Sequence, residues 1–193
     1  MIHLNGSRLC AIEMFTTQKE ILEIAIIALN FKCEIDKSIT PFNIMFSVND
    51  LINLDRKHSD DYLIRTQALG MTGYEAAKLF DDWFEKLKLR EGKKIMPLAY
   101  NWAHKAPFIK EWLQPTYFDM YFDYRYRDPL CVANFVNDVC DRKIEHYLFP
   151  KLYLSYLCQQ RKIDYVWESS SDLLGKVKSV IDLNRDMIYR EMF

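Results

Sequence analysis

The sequence predicts an α/β fold: a mixed sheet, made of a three-strand antiparallel meander plus parallel strands, flanked by helices in a single domain spanning residues 1–193. Two observations lead there. Apolar runs of strand length crowd the first quarter of the chain, and in the clearest of them Phe42, Ile44, Phe46 and Val48 alternate with Asn43, Met45 and Ser47. Stripes at helical spacing dominate the remaining three quarters, with one more strand-like run, Ile95 to Tyr100, set among them. A meander followed by a helical crossover into a parallel strand makes a mixed sheet with helices on its faces.

Taken in order, Arg8 to Phe15 is a short apolar run and Ile21 to Leu29 a second, whose isoleucine content favours strand over helix. Phe42 to Val48 completes the meander. Residues 49–70 form a polar connection holding a short helix or a loop. A helix then opens with a capping box, Thr72 at the cap and Glu75 three residues on, and carries the apolar stripe Ala76, Leu79, Phe80, Trp83, Leu87. Pro97 puts the fourth strand, Ile95 to Tyr100, near an edge or bulge. A short helix around Phe108 to Leu113 comes next. Asp128-Pro129 is a helix start, with aspartate at the cap and proline at the first helical position. Lys151 to Gln160 and Ser171 to Met192 complete the helical half, the last with the stripe Leu173, Val177, Val180, Ile181, Asn184, Ile188.

Composition excludes several functions. Half of the 193 residues are hydrophobic and 27% are charged, which is ordinary for a folded domain. There are only 5 glycines, and neither G-x-G-x-x-G nor G-x-x-x-x-G-K-[ST] occurs, so phosphate-cradling loops are not expected. A formal net charge of −1 gives no bulk attraction for nucleic acid, leaving only a local patch. The start, Met1 to Arg8, is too short and polar for a signal peptide, and the run Ile24 to Leu29 is far shorter than a membrane span, so no membrane partner is expected. The 5 cysteines (Cys10, Cys33, Cys131, Cys140, Cys158) contain no C-x-x-C pair; they read as thiols of a cytoplasmic protein.

Three segments carry a resemblance. Glu13-Met14-Phe15-Thr16-Thr17-Gln18, followed by Ile21-Leu22-Glu23-Ile24-Ala25, is similar to the first motif of the DEDD-type 3′–5′ exonucleases, D-x-E-T-T-G and then I-x-E-I-A. Tyr100 to Lys105, running into Phe108-Ile109, resembles the second motif, H-N-x-x-F-D. Leu152 to Ile163 resembles the helix before the third motif, H-x-A-L-x-D, which would fall on Lys176 to Ile181 before Tyr189. The resemblance spans nearly the whole chain and implies the ribonuclease-H-like exonuclease fold.

It implies a damaged site as well. The family holds two divalent metals with four carboxylates and uses a histidine as general base. Here Glu13 stands at the first aspartate, Phe15 at the glutamate, Lys105 at the second-motif aspartate, Lys176 at the histidine and Ile181 at the last aspartate, unless a one-residue shift brings Asp182 there. His104 and His146 do not fall on the histidine position. Strand residues two apart share a face, so Phe15 projects where a ligand belongs, and a benzyl ring offers a hard cation no oxygen. Lys105 is expected to pair with Glu13 in place of a metal. The expectation is an inactive exonuclease relative without catalytic residues, metal or cofactor, acting by binding. The alternative is a residual metal-dependent 3′–5′ exonuclease resting on Glu13 and Asp182.

Two kinds of partner fit. Single-stranded nucleic acid would use Asn101, Lys105, Arg125, Arg127, Lys176 and Lys178, with the aromatic run Tyr117 to Arg127 as a stacking platform unless that run is a fifth strand packed on the core. On this reading Lys105, Lys176 and Lys178 gather at the former active cleft. A protein partner would instead use some of the 12 tyrosines, 12 phenylalanines and 4 tryptophans as anchors.

Overall fold

A computed structural model of the chain describes residues 7–17, 20–30, 32–47, 60–144, 149–165 and 172–191. Val48, the connection through residue 59, and His146 lie outside the described residues, as do the side chains of Cys140 and Tyr189.

Among the described residues four strands form one sheet in the order β3-β2-β1-β4. Strand β1 (Arg8–Thr16) pairs antiparallel with β2 (Ile21–Ala28), which pairs antiparallel with β3 (Phe42–Met45). Strand β4 (Ile95–Leu98) joins β1 in parallel. This is the meander and crossover expected from the sequence. Every residue of β2 is buried, because helices cover both faces of the sheet. That is why its sequence runs continuously apolar instead of alternating.

Seven helices surround the sheet among the described residues: α1 (Asp60–Leu69), α2 (Gly73–Glu85), α3 (Trp102–Leu113), α4 (Pro115–Tyr121), α5 (Pro129–Ile144), α6 (Leu154–Gln160) and α7 (Leu173–Glu191). One face of β1 presents Cys10, Ile12 and Met14 to a cluster centred on Phe80, Trp83, Trp102 and Phe122. The opposite face presents Leu9 and Ala11 to Leu157, Val177, Val180 and Ile181. The capping box forms as expected: Glu75 N–H donates to Thr72 Oγ1 at 3.3 Å, and Thr72 N–H donates to Glu75 Oε2 at 2.9 Å.

Three expectations need correction. Leu79 is exposed, since it sits at the margin of the α2 stripe and the apolar face centres on Ala76, Phe80 and Trp83. Helix α3 begins six residues before Phe108 and carries Pro107 inside it. Pro107 and Ala103, one turn apart, both face solvent, so the helix loses a single backbone bond where water can replace it. The aromatic run does not form a fifth strand: its first half is α4, and only Phe122 and Arg127 make isolated parallel bridges, to Ile95 and Leu98. Phe118 and Phe122 stack on each other at 5.0 Å, and Phe122 lies parallel to Phe80 at 5.9 Å, so these rings belong to the core and not to a platform.

Those bridges line the outer edge of β4. Asp123 N–H donates to Ile95 O at 2.7 Å, Arg127 N–H to Pro97 O at 2.7 Å, and Ala99 N–H to Arg127 O at 3.0 Å. Pro97, which has no N–H, therefore sits on the edge side, as its residue type requires. At the other edge Met71 N–H donates to Met45 O at 3.0 Å and Ser47 N–H to Met71 O at 2.9 Å.

Candidate functional site

Odd-numbered residues of β1 face α5, α6 and α7, and Glu13 is one of them, 5% exposed. The register sets Phe15 directly opposite Glu23 of β2 and Glu13 opposite Ala25, so Glu13, Phe15 and Glu23 share one sheet face. Glu23 is 1% exposed. Sequence reasoning assigns it no role, although it is the one charged residue inside the apolar run Ile21 to Leu29, which is the signal that marks it.

Two lysines complete the cluster. Lys105, in the first turn of α3 and 8% exposed, places Nζ 3.2 Å from Glu13 Oε1 and also donates to the Tyr100 carbonyl. The ion pair expected from the sequence is formed. Lys176, in the first turn of α7, holds Nζ 3.9 Å from the centre of the Phe15 ring, a cation–π contact. Burial pushes the Glu13 carboxyl above its usual range, against the opposing pull of Lys105 and then Lys176. Burial likewise lowers Lys176, against the pull of Glu13; Lys105 lowers it further and Glu23 raises it. Tyr100 and Tyr165 are both pushed up, first by burial and then in part by the Glu13 charge. The result is a cluster of two buried carboxylates, the buried Lys105 and the half-buried Lys176.

The position of α3 depends on Asp128. Its carboxylate accepts from Asn101 N–H at 2.9 Å and Trp102 N–H at 2.8 Å, and from Leu130 N–H at 2.9 Å in its own helix. It therefore caps α5, as Asp128-Pro129 predicts, and the start of α3 as well. Asn101 is left-handed at φ 56, and its side chain makes no capping bond.

The remaining candidates lie elsewhere. Ile181 is buried among Leu9, Ala11 and Val177, whereas Asp182 is exposed in a surface groove with Lys178 and Arg185. The one-residue shift therefore brings no carboxylate to Glu13. Lys178 lies about 200° around the helix from Lys176, so it does not reach the cluster. Arg125 pairs with Asp123 at 2.7 Å, and Asp123 accepts from Ser7 at 3.1 Å, just before the start of β1. Six residues of strand, roughly 20 Å, separate that pair from Glu13. Arg127 donates to Cys33 Sγ at 3.1 Å. Of the six cationic and polar candidates, only Lys105 and Lys176 come together over Glu13.

Lys105 lies against Glu13 Oε1, Phe15 and Ile181 supply no oxygen, and among the described residues no three His, Cys, Asp or Glu side chains converge on a metal-sized site.

No protein-family model matches the sequence, and no curated protein matches it. Solved structures do. Cell-death related nuclease 4 (CRN-4) superposes with a TM-score of 0.66 at 15% identity, over 95% of this chain and 64% of that one. E. coli exonuclease I in complex with a dT13 oligonucleotide gives 0.66 at 13%, over 96% of this chain and 42% of that one. The nuclease domain of 3′hExo, a DEDDh family member bound to rAMP, gives 0.60 at 15%, over 96% and 94%. The chain has the DEDD exonuclease fold. In that ribonuclease-H-like exonuclease fold it spans nearly the whole 3′hExo nuclease domain but less than two thirds of CRN-4 and of exonuclease I. Among the described residues no helix is long and apolar enough to cross a membrane.

Proposed function

We propose that this chain is an exonuclease-fold protein that does not hydrolyse phosphodiester bonds and acts by binding. The observation that carries the reading is the 3.2 Å contact between Lys105 Nζ and Glu13 Oε1, with Phe15 two residues along the same strand face. Where the DEDD pattern gathers carboxylates around two metals, this chain places a salt bridge and an aromatic ring under a second lysine. The motif substitutions at Glu13, Phe15, Lys105, Lys176 and Ile181 are thus consistent with one another: where the pattern has carboxylates and a histidine, this chain has two lysines, a ring and an aliphatic side chain beside one carboxylate. Because Lys105 is spent on Glu13 and on the Tyr100 carbonyl, the cleft offers little free positive charge to phosphate, and the partner is best read as a protein. Buried free thiols at Cys10 and Cys158 suit a reducing, cytoplasmic setting.

A second reading, retention of a single strand in the cleft, draws on the related structures solved with dT13 and with rAMP. Steeply salt-dependent oligonucleotide affinity that falls in Lys176→Ala separates it from the first. The hydrolytic question has its own test. End-labelled single-stranded DNA and RNA incubated with magnesium or manganese should stay intact. Shortening from the 3′ end that Glu13→Gln abolishes would overturn the reading, since a contaminant does not respond to that change.

A further inference from the structure

A groove of about 340 Å³ opens where β1 and β4 begin, towards the opposite end of β1 from Glu13. Its size suits one small group. Lys93, Lys94 and Arg125 line it, with Ser7, Asp123 and Tyr124 between them. The backbone there is pinned from two sides. Arg8 N–H donates to Lys94 O at 3.0 Å, and Asp123 N–H donates to Ile95 O at 2.7 Å. A tight turn leads in: Lys93 N–H donates to Arg90 O at 2.9 Å, and Gly92 takes φ 70, which glycine adopts without strain. The turn therefore delivers two successive lysines to the end of the sheet.

The charges here do not cancel. Among the described residues Asp123 is the one carboxylate that lines the groove, and its oxygens are already taken. It accepts from Ser7 Oγ at 3.1 Å, from Arg125 N–H and Nε at 3.0 Å each, and from Arg125 Nη2 at 2.7 Å. Its side chain is 9% exposed, whereas that of Arg125 is 37% exposed, so the pairing fixes a guanidinium beside the two lysines and leaves it open to solvent. Lys94 also donates to the Asp119 carbonyl. Glu91 and Asp119 line the neighbouring groove, which shares Lys93 and Lys94, but not this one. Ammonium and guanidinium groups only donate. What stays open is therefore a set of N–H donors with two positive charges in excess.

That set discriminates among anions. A carboxylate or an internal phosphodiester brings a single negative charge. A phosphomonoester brings about −1.5 to −2 at pH 7 and three acceptor oxygens, which matches both the excess charge and the donors. Tyr124, 89% exposed, stands at the rim with the Arg125 guanidinium 5.7 Å from its ring centre, and offers a face to an aromatic ester. From the donor-only rim, the spent Asp123 and the two positive charges in excess, we infer that this groove binds a phosphomonoester, carried by a small molecule or by a phosphorylated side chain. The inference goes beyond the proposed function and does not rest on it, because none of these residues belongs to the Glu13 cluster.

Phenyl phosphate titrated into the isotope-labelled intact protein, followed by amide NMR, tests it. Saturable shifts are expected at Gly92, Lys93, Lys94 and Arg125, with acetate and dimethyl phosphate binding about tenfold more weakly or worse. Lys93→Ala combined with Lys94→Ala should weaken phenyl phosphate about tenfold or more, and the spectrum itself shows that the variant is folded. Lys176→Ala should leave the affinity unchanged. A phosphotyrosine within a Gly-Ser peptide separates the two sources: tighter binding than phenyl phosphate assigns the site to a phosphorylated side chain, equal binding to a small molecule, and either supports it. Absence of shifts, equal affinity for acetate or dimethyl phosphate, or a double variant that binds like the wild type would overturn the inference. Shifts centred on Lys105 and Lys176 would also overturn it, and would mark the Glu13 cleft as the anion site.

Discussion

Replacing Lys105 by methionine keeps the aliphatic stem and removes one charge from a buried pair. Glu13, 5% exposed, then faces Lys176 alone. Deleting one partner of a buried ion pair costs about 3–5 kcal/mol, and the remaining lysine keeps the expected loss near the lower end, about 3 kcal/mol. For a chain of this length each kcal/mol is worth roughly 2–4 °C, so the melting temperature should fall by roughly 6–12 °C. Glu13→Gln with Lys105→Met removes both charges and should be closer to wild type than Lys105→Met alone. Urea melts of the wild type, the two single variants and the double variant complete the cycle. The pH dependence supplies an independent check. Burial raises the folded-state carboxyl of Glu13 above its unfolded value of 4.5, and losing Lys105 raises it further. In that window the folded variant binds more protons than the unfolded chain, so its stability rises as pH falls. The deficit of Lys105→Met should therefore be full above the folded pKa and shrink on acidification, leaving the part due to the lost bond to Tyr100 O. Additive single effects, or a deficit that grows as pH falls, would refute the reasoning.

Asp128→Ala should cost about 2–4 kcal/mol in urea unfolding, because three backbone N–H groups at two helix starts lose their acceptor; a loss below about 0.5 kcal/mol would mean that water replaces it. Asn137→Ala should cost about 2–4 kcal/mol, since its buried amide both donates to Phe149 O and accepts from Phe149 N–H, each at 2.8 Å; a loss below about 0.5 kcal/mol would mean that water takes over both bonds. Arg125 holds the Asp123 carboxyl down at about 2. That pairing stabilises the fold above the unfolded value of 3.8 and is lost as pH falls through about 2. In Arg125→Ala an NMR titration of Asp123 should move up towards the ordinary range, and an unchanged midpoint would assign the shift to another group.

The sheet was legible because its signals are local. Period-two alternation at Phe42 to Phe46 and the β-branched run of β2 need only neighbouring residues to be read, as do Thr72 with Glu75 and Asp128 with Pro129. Other features depended on context. Pro107 hid the start of α3, because the cost of proline inside a helix depends on whether its turn faces solvent. The spacing of Tyr117, Phe118, Tyr121 and Phe122 fits a helix, yet their aromatic character favours strand; Pro115 at the first helical position was the signal that could have decided it. Lys105 over Glu13 was legible only through the exonuclease resemblance. The electrostatic influence of Glu23 on Lys176 was not legible at all, since a glutamate in an apolar run implies a counter-charge but not where in the chain it lies. Placing Lys178 beside Lys176 overlooked the turn of the helix between them.

The bonded outer edge of β4 limits how this molecule can meet another chain. On β4 the outward carbonyls of Ile95 and Pro97 and the N–H of Ala99 are already bonded, and on β3 Met71 takes the carbonyl of Met45. A strand offered from outside would find proline on one side and a four-residue strand on the other, too short to template a ladder. The same closure guards against edge-to-edge aggregation in a chain with such an apolar sheet. Recognition by β-augmentation is thereby closed off along the β4 flank.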